Sequence, residues 1–166
     1  RKIHGIGNVK AVQLKCIGEL SKRIASTAAR VSLDFNSPGS IAAYYMEQLR
    51  HQEQEIMICM MLDNQNHLLG DTVLSKGTVN ATLITPREVY LEALRYHAVN
   101  LILIHNHPGG NPNPSDEDIE TTKKLYAAAQ ILGIALLDHI IITRNAYYSF
   151  LEHNWFEKFD SEMNSR

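Results

Sequence analysis

The apolar run Leu101-Ile102-Leu103-Ile104 passes directly into His105-Asn106-His107 and then into a turn carrying Pro108, Gly109, Gly110, Pro112 and Pro114. Four apolar residues bounded by breakers are too short for a helix and read as a buried strand. Alternate side chains of a strand share a face, so His105 and His107 point the same way, with Cα atoms about 6–7 Å apart. Past the turn, Ser115-Asp116-Glu117-Asp118 heads a helical pattern (Ile119, Thr122, Leu125, Tyr126, Ala129, Leu132) that ends near Gly133. One helical turn lifts Asp118 toward the imidazoles.

Two imidazoles and a carboxylate make three sides of a metal site. Zinc takes imidazole nitrogen and carboxylate oxygen at about 2.0–2.2 Å, and a catalytic zinc keeps three protein ligands with a fourth position for water. A plainer chemistry also claims two of these residues: Ser115 is a good N-cap, and Asp118 sits where a capping box places its acid. Capping and ligation are compatible. Capping alone leaves unexplained why two histidines close the preceding strand.

With 166 residues, 45% of them hydrophobic, the chain can build one compact domain with a proper core and a small appendage. No run approaches a membrane span and no secretory signal is visible. Because the first residue is Arg1, an upstream region is compatible with the sequence. Cys16 and Cys59 form neither a disulfide framework nor a metal pair, so a reducing cytoplasmic setting is the expectation. The net charge of −2 is unevenly placed: residues 1–30 carry seven Lys or Arg against Glu19 alone, a balance of +6 that leaves −8 for the remainder. A basic front can hold a phosphate backbone, whereas an acidic body repels it.

Gly5-Ile6-Gly7-Asn8 precedes a helical stretch with apolar residues from Val9 to Ala28, and GIGNVKA looks like the second half of a helix-hairpin-helix. Weak DNA contact through residues 1–30 is the expectation attached to it, beside the plainer reading of a structural stub. Residues 32–37 are the expected boundary. Pro38 then opens a helix to about Arg50, capped by Ser37 or Asn36. Strands are expected over Glu55–Leu62, His67–Ser75 and Thr78–Ile84 as an antiparallel meander. Thr85-Pro86-Arg87-Glu88 is a capping box for a helix to about Ala98. After the histidine strand and its helix come a strand over Ile134–Thr143, a partner over Tyr147–Leu151, and a short helix around Trp155, Phe156 and Phe159. The class is α+β, or mixed α/β.

Hydrolysis at such a zinc needs a separate carboxylate as general base. Glu53 and Glu55 both flank the first strand, and spacing does not choose between them. Glu55-Ile56-Met57 at a strand head, His105-Asn106-His107-Pro108, Ser115 and Asp118 together resemble the JAMM (MPN+) metalloprotease motif. With GIGNVKA, PREVYLEAL at 86–94, LILIHNHPGGNPNPSDED at 101–118 and LGIALLDHIII at 132–142, the chain is similar to the RadC family from one end to the other.

The resemblance implies a mixed sheet flanked by helices, akin to cytidine deaminase-like sandwiches, over residues 35–166, with residues 1–34 a partial helix-hairpin-helix stub and linker helix. It implies Zn2+ held by His105, His107 and Asp118, Glu55 as the acid that activates the attacking water, and Ser115 as the hydroxyl that stabilises the tetrahedral intermediate. The activity implied is that of a peptidase or isopeptidase on an unidentified peptide or protein. A DNA-associated accessory protein of repair, its metal structural or vestigial, is the alternative. Neither substrate nor oligomeric state follows from the sequence. Gly109 departs from the family's usual HNHPSG, and Asp138-His139, also part of the family pattern, reads as a buried hydrogen-bonded core pair rather than as ligands.

Overall fold

The computed structural model describes residues 6–31, 37–77 and 84–165, with backbone alone at 22, 23 and 25–31. The chain divides into two compact units, Arg1–Leu33 and Asp34–Arg166. The first holds helix α1 (Asn8–Val31), which starts directly after Ile6-Gly7, with the Ala11 amide donating to the Gly7 carbonyl at 3.0 Å.

In the second unit, helix α2 (Pro38–Leu49) has Pro at its first position, where a missing N–H costs nothing. Ser37 precedes it with extended backbone, but its side chain makes no capping bond; Ser40 Oγ donates back to the Ser37 carbonyl instead. Strand β1 (Ile56–Leu62) is buried at every residue, as a strand with neighbours on both sides and helices on both faces must be. It pairs antiparallel with β2 (Leu68–Lys76) on one edge and with β3 (Asn100–Asn106) on the other. The third strand expected over Thr78–Ile84 falls almost wholly on 78–83, outside the described residues.

Helix α3 (Pro86–Arg95) begins as expected, with Glu88 Oε2 accepting from the Thr85 amide at 2.8 Å and its hydroxyl at 2.7 Å. It ends three residues short of Ala98 because His97 takes a left-handed backbone, at φ 52°. Strand β3 leads through helix α4 (Asp116–Leu132) into β4 (Ala135–Ile142), which lies parallel to β3. Parallel neighbours require a crossover, and α4 supplies it. Gly133, at φ 67°, ends α4 with the left-handed residue that a helix C-terminus favours. Strand β5 (Tyr147–Ser149) returns antiparallel along β4, and helix α5 (Trp155–Asn164) closes the chain.

The sheet order is β2-β1-β3-β4-β5. One face carries Met57, Cys59, Met61, Leu101, Leu103 and Leu136 against Val89, Tyr90 and Ala93 of α3 and Leu125 and Ala129 of α4. Each such Leu or Ile, fully buried, contributes about 1.5–3 kcal/mol. A second cluster, Ile141, Phe150 and Phe159, joins β4 to α5. Helix α2 packs against β3, β4 and β5. This mixed α+β sheet flanked by helices is the expected class. No described helix is long and apolar enough to cross a membrane.

Asp138, 2% exposed, fastens β4 to the chain after β5: Oδ1 accepts from the His139 and Leu151 amides at 2.7 and 3.0 Å, and Oδ2 from Ser149 Oγ at 2.6 Å. Burial nevertheless pushes its pKa up to about 6, the three donors offsetting only part of the cost. A carboxyl raised on folding stabilises fully below its unfolded pKa of about 3.9 and loses that contribution as pH rises through the folded value. Two units correspond to roughly 3 kcal/mol. Asp138→Asn keeps the acceptor for both amides and carries no charge. Urea denaturation should find it near wild type at pH 4 and more stable by about 1–3 kcal/mol at pH 7.5.

Candidate metal centre

The crossover β3-α4-β4 explains why distant residues meet. In a βαβ unit the helix starts outside the carboxyl end of the first strand, the place where open α/β sheets bind ligands. His105 is the penultimate residue of β3, and His107 lies just past its end, its amide donating to the Ile142 carbonyl at 2.8 Å. Their rings stand edge to face, centroids 4.7 Å apart. Asp118, 1% exposed in the first turn of α4, lies against both: Oδ1 is 3.1 Å from His105 Nδ1 and Oδ2 is 3.3 Å from His107 Nε2.

The capping box is present in full. Ser115 Oγ accepts from the Asp118 amide at 3.2 Å, while Asp118 Oδ2 accepts from the Ser115 amide at 2.8 Å and from its hydroxyl at 2.7 Å. One carboxylate thus caps a helix and faces two imidazoles at once. The Ser115 proton is committed to Asp118 in this arrangement, so an oxyanion contact would require the hydroxyl to turn.

Glu55 arrives from the opposite direction, immediately before β1. Its Oε2 lies 3.7 Å from His105 Nε2, and its side chain is 39% exposed, enough to meet solvent. Glu53 is exposed and makes no contact with the cluster that the structure records. Glu55, His105 and His107 each offer a ligand atom within 4.8 Å of the others, a group able to hold a metal ion. Asp118 is not part of this trio but lies against both of its rings.

The electrostatics suit a positive charge beside Asp118. Burial alone would push the Asp118 carboxyl up, but His105, His107 and Ser115 hold it well below the usual carboxylate range. Burial likewise lowers His107, but Asp118 and the Asn111 carbonyl outweigh it and keep the ring above its ordinary value. His107 Nδ1 lies 2.9 Å from the Asn111 carbonyl, which only accepts, so that nitrogen carries the proton. Its Nε2 is left facing a carboxylate. His105 Nδ1 and Asp118 Oδ1 are both buried and, despite their proximity, make no aligned hydrogen bond. Buried polar atoms are ordinarily paired, and two left without an aligned partner in a cluster of imidazoles and carboxylates fit a cation site. The donor set, two imidazoles with carboxylates, is one that zinc accepts.

Sequence reasoning gave Asn106 no role. Its side chain, 4% exposed, accepts from the Ile56 amide through Oδ1 at 2.7 Å and donates through Nδ2 to the Gln54 carbonyl at 3.1 Å. Those two backbone groups flank Glu55, so the residue between the histidines fixes the one carboxylate that comes from another strand. Gly109 sits in open space at an exposed turn, where a Cβ would meet nothing within 4 Å, so the family's Ser fits there without strain. Gly110, at φ 86°, is the position where the turn needs glycine.

Asn106→Leu removes both clamps and leaves the buried Ile56 amide and the part-buried Gln54 carbonyl unpaired, at about 1–3 kcal/mol for the buried amide and less for the carbonyl. Chemical denaturation should show a loss of about 2–4 kcal/mol. Gly109→Ser should stay within about 0.5 kcal/mol of wild type.

A family profile described as a RadC-like JAB domain matches residues 35–155. UPF0758 proteins are among the relatives: one from Clostridium acetobutylicum is 43% identical over 152 residues, covering 92% of this chain and 66% of its own length. Another, from Desulfitobacterium hafniense, is 42% identical over 151 residues, with 91% and 66% covered. A third, from Bacillus cereus, is 42% identical over 150 residues, with 90% and 67% covered. The chain spans about two thirds of the length of these relatives. With its matched residues including the strand head at Glu55, both histidines, Ser115 and Asp118, the chain belongs to the RadC family of JAB-domain proteins.

Proposed function

We propose that this chain is a zinc-dependent hydrolase of peptide or isopeptide bonds, in which His105, His107 and Asp118 hold the ion and Glu55 is the general base. The observation that carries the reading is the division of labour between the two carboxylates. Asp118 is buried, ionised and aimed at both imidazoles, as a ligand should be, whereas Glu55 is half-exposed at the rim, where a base must meet water.

Zinc held by these residues would supply a Lewis acid and lower the pKa of water toward neutrality. The chain's own groups do the rest. Glu55 takes a proton at Oε2 from the attacking water and returns it to the departing nitrogen. Asn106 holds the backbone on both sides of Glu55, so the carboxylate keeps its approach through both transfers. Asn111 fixes the His107 ring by accepting from Nδ1. Ser115 Oγ, at the mouth of α4, turns from Asp118 toward the developing negative charge, one donor of an oxyanion contact.

Titration with zinc followed by metal analysis should find one equivalent per wild-type chain. His107→Ala and Asp118→Asn should lose it, and Glu55→Gln should retain it. Glu55→Gln should also trap a protein substrate that wild type releases. A wild-type chain without stoichiometric zinc, or a Glu55→Gln chain that loses it, would overturn this assignment.

The basic front supports a second reading, contact with DNA through residues 1–30. The +6 balance there and helix α1 directly after Ile6-Gly7 favour it. Duplex binding across a salt series should then fall steeply, with Lys10→Gln and Lys15→Gln each reducing the slope by about 1. Weak, salt-insensitive binding would exclude it.

A further inference from the structure

His139 is fully buried in β4 and belongs to none of the roles above. Its ring lies between two others: the Phe150 centroid is 4.9 Å away at 17°, and that of His105 is 6.0 Å away at 21°. Nδ1 is 2.7 Å from Thr122 Oγ1, and the same Oγ1 is 2.6 Å from the Asp118 carbonyl. A hydroxyl has one proton. The carbonyl can only accept, so that proton goes to Asp118, and Oγ1 presents a lone pair to His139. Nδ1 of His139 must therefore carry hydrogen, which makes Nε2 the bare nitrogen. Nε2 is buried and has no hydrogen-bond partner.

A ring that only filled space would be better as Phe, since an unpaired buried nitrogen opposes folding. What His139 supplies and Phe lacks is a single N–H, directed at Thr122. Resting on the zinc reading above, we infer that His139 and Thr122 form a positioning pair that sets Asp118, and with it the first turn of α4, in the orientation needed to grip the metal. The chain of donors runs from His139 Nδ1 to Thr122 Oγ1 to the Asp118 carbonyl, and neither residue touches substrate or the reacting atoms. Threonine bonding back to the carbonyl four residues earlier tilts a helical turn. His139 fixes which way the Thr122 hydroxyl points, and so keeps that tilt in place. Groups behind a ligand commonly change metal affinity by 10- to 100-fold.

The test uses the full 166-residue chain and zinc alone, with affinity measured by competition against a chromogenic chelator and metal-free stability by urea denaturation. Thr122→Val and His139→Phe should each weaken zinc binding about 10-fold or more. Thr122→Ser, which keeps the hydroxyl, should remain within about threefold of wild type, since the donor chain is intact. His139→Phe separates positioning from packing: it keeps the stacked ring and removes the orphaned nitrogen, so metal-free stability should equal or exceed wild type while affinity falls. Nitrogen-15 NMR should show His139 as the Nδ1–H tautomer. Zinc affinity within threefold of wild type in Thr122→Val would overturn the inference, as would an Nε2–H tautomer. If His139→Phe does not fold, Thr122→Val and the tautomer decide. Failure of wild type itself to bind zinc would bring down the metal reading and this one together; binding by wild type and variants alike would bring down this one alone.

Discussion

The centre depends on one carboxylate serving three neighbours. Asp118 Oδ2 receives the Ser115 amide and hydroxyl as the acid of a capping box and also faces the His107 ring, while Oδ1 faces His105. Each contact constrains the others. The cap fixes where helix α4 starts, the parallel pairing of β3 and β4 fixes where that start lies, and the histidines at the end of β3 then meet the carboxylate without further adjustment. Asp116 and Glu117 beside it add to the negative charge that a helix N-terminus accommodates.

Around this carboxylate the sheet works as a ruler. Antiparallel pairing sets Met57 opposite His105, which puts Ile56 opposite Asn106 and brings Glu55 to the rim of the cluster. A slip of one residue would turn every side chain of β1 to the other face. Burial of all seven β1 residues makes such a slip costly, so the core that stabilises the domain also sets the position of Glu55. Asn106 adds a polar lock at the point where pairing ends. Its amide closes the two backbone groups that the ladder would otherwise leave open.

Much of this was legible in the sequence because it is local. The apolar run before His105, the Ser115 to Asp118 spacing, the proline at the head of α2 and the glycine that ends α4 each carry their structural meaning within a few residues. The Thr85 and Glu88 pairing was readable for the same reason, and so was the coexistence of capping with an approach to the imidazoles. The end of α3 was not, because the left-handed backbone at His97 has no glycine or proline to announce it. Glu55 stood apart from Glu53 through family resemblance alone, since its contact depends on a register between strands some fifty residues apart. Asn106 and Thr122 were missed for a related reason: one reaches residues 50 and 52 positions away, the other a residue 17 positions away. An Asn between two histidines and a Thr on a helix face carry no periodic signal of such bonds.

The pair Asp138-His139 shows how two adjacent residues can have opposite purposes. Strand alternation sends them to opposite faces of the sheet. Asp138 is satisfied on every side, by Ser149 and by the amides of His139 and Leu151, and so acts on the joint between β4 and β5. His139 is satisfied on one nitrogen only, and burial pushes its pKa down to about 3, so the ring stays neutral in a place where no water reaches it. A fold selected for stability alone would remove that open nitrogen. Its presence beside the carboxylate and imidazole of the candidate metal centre fits the pattern in which local departures from good packing are retained where they position chemistry.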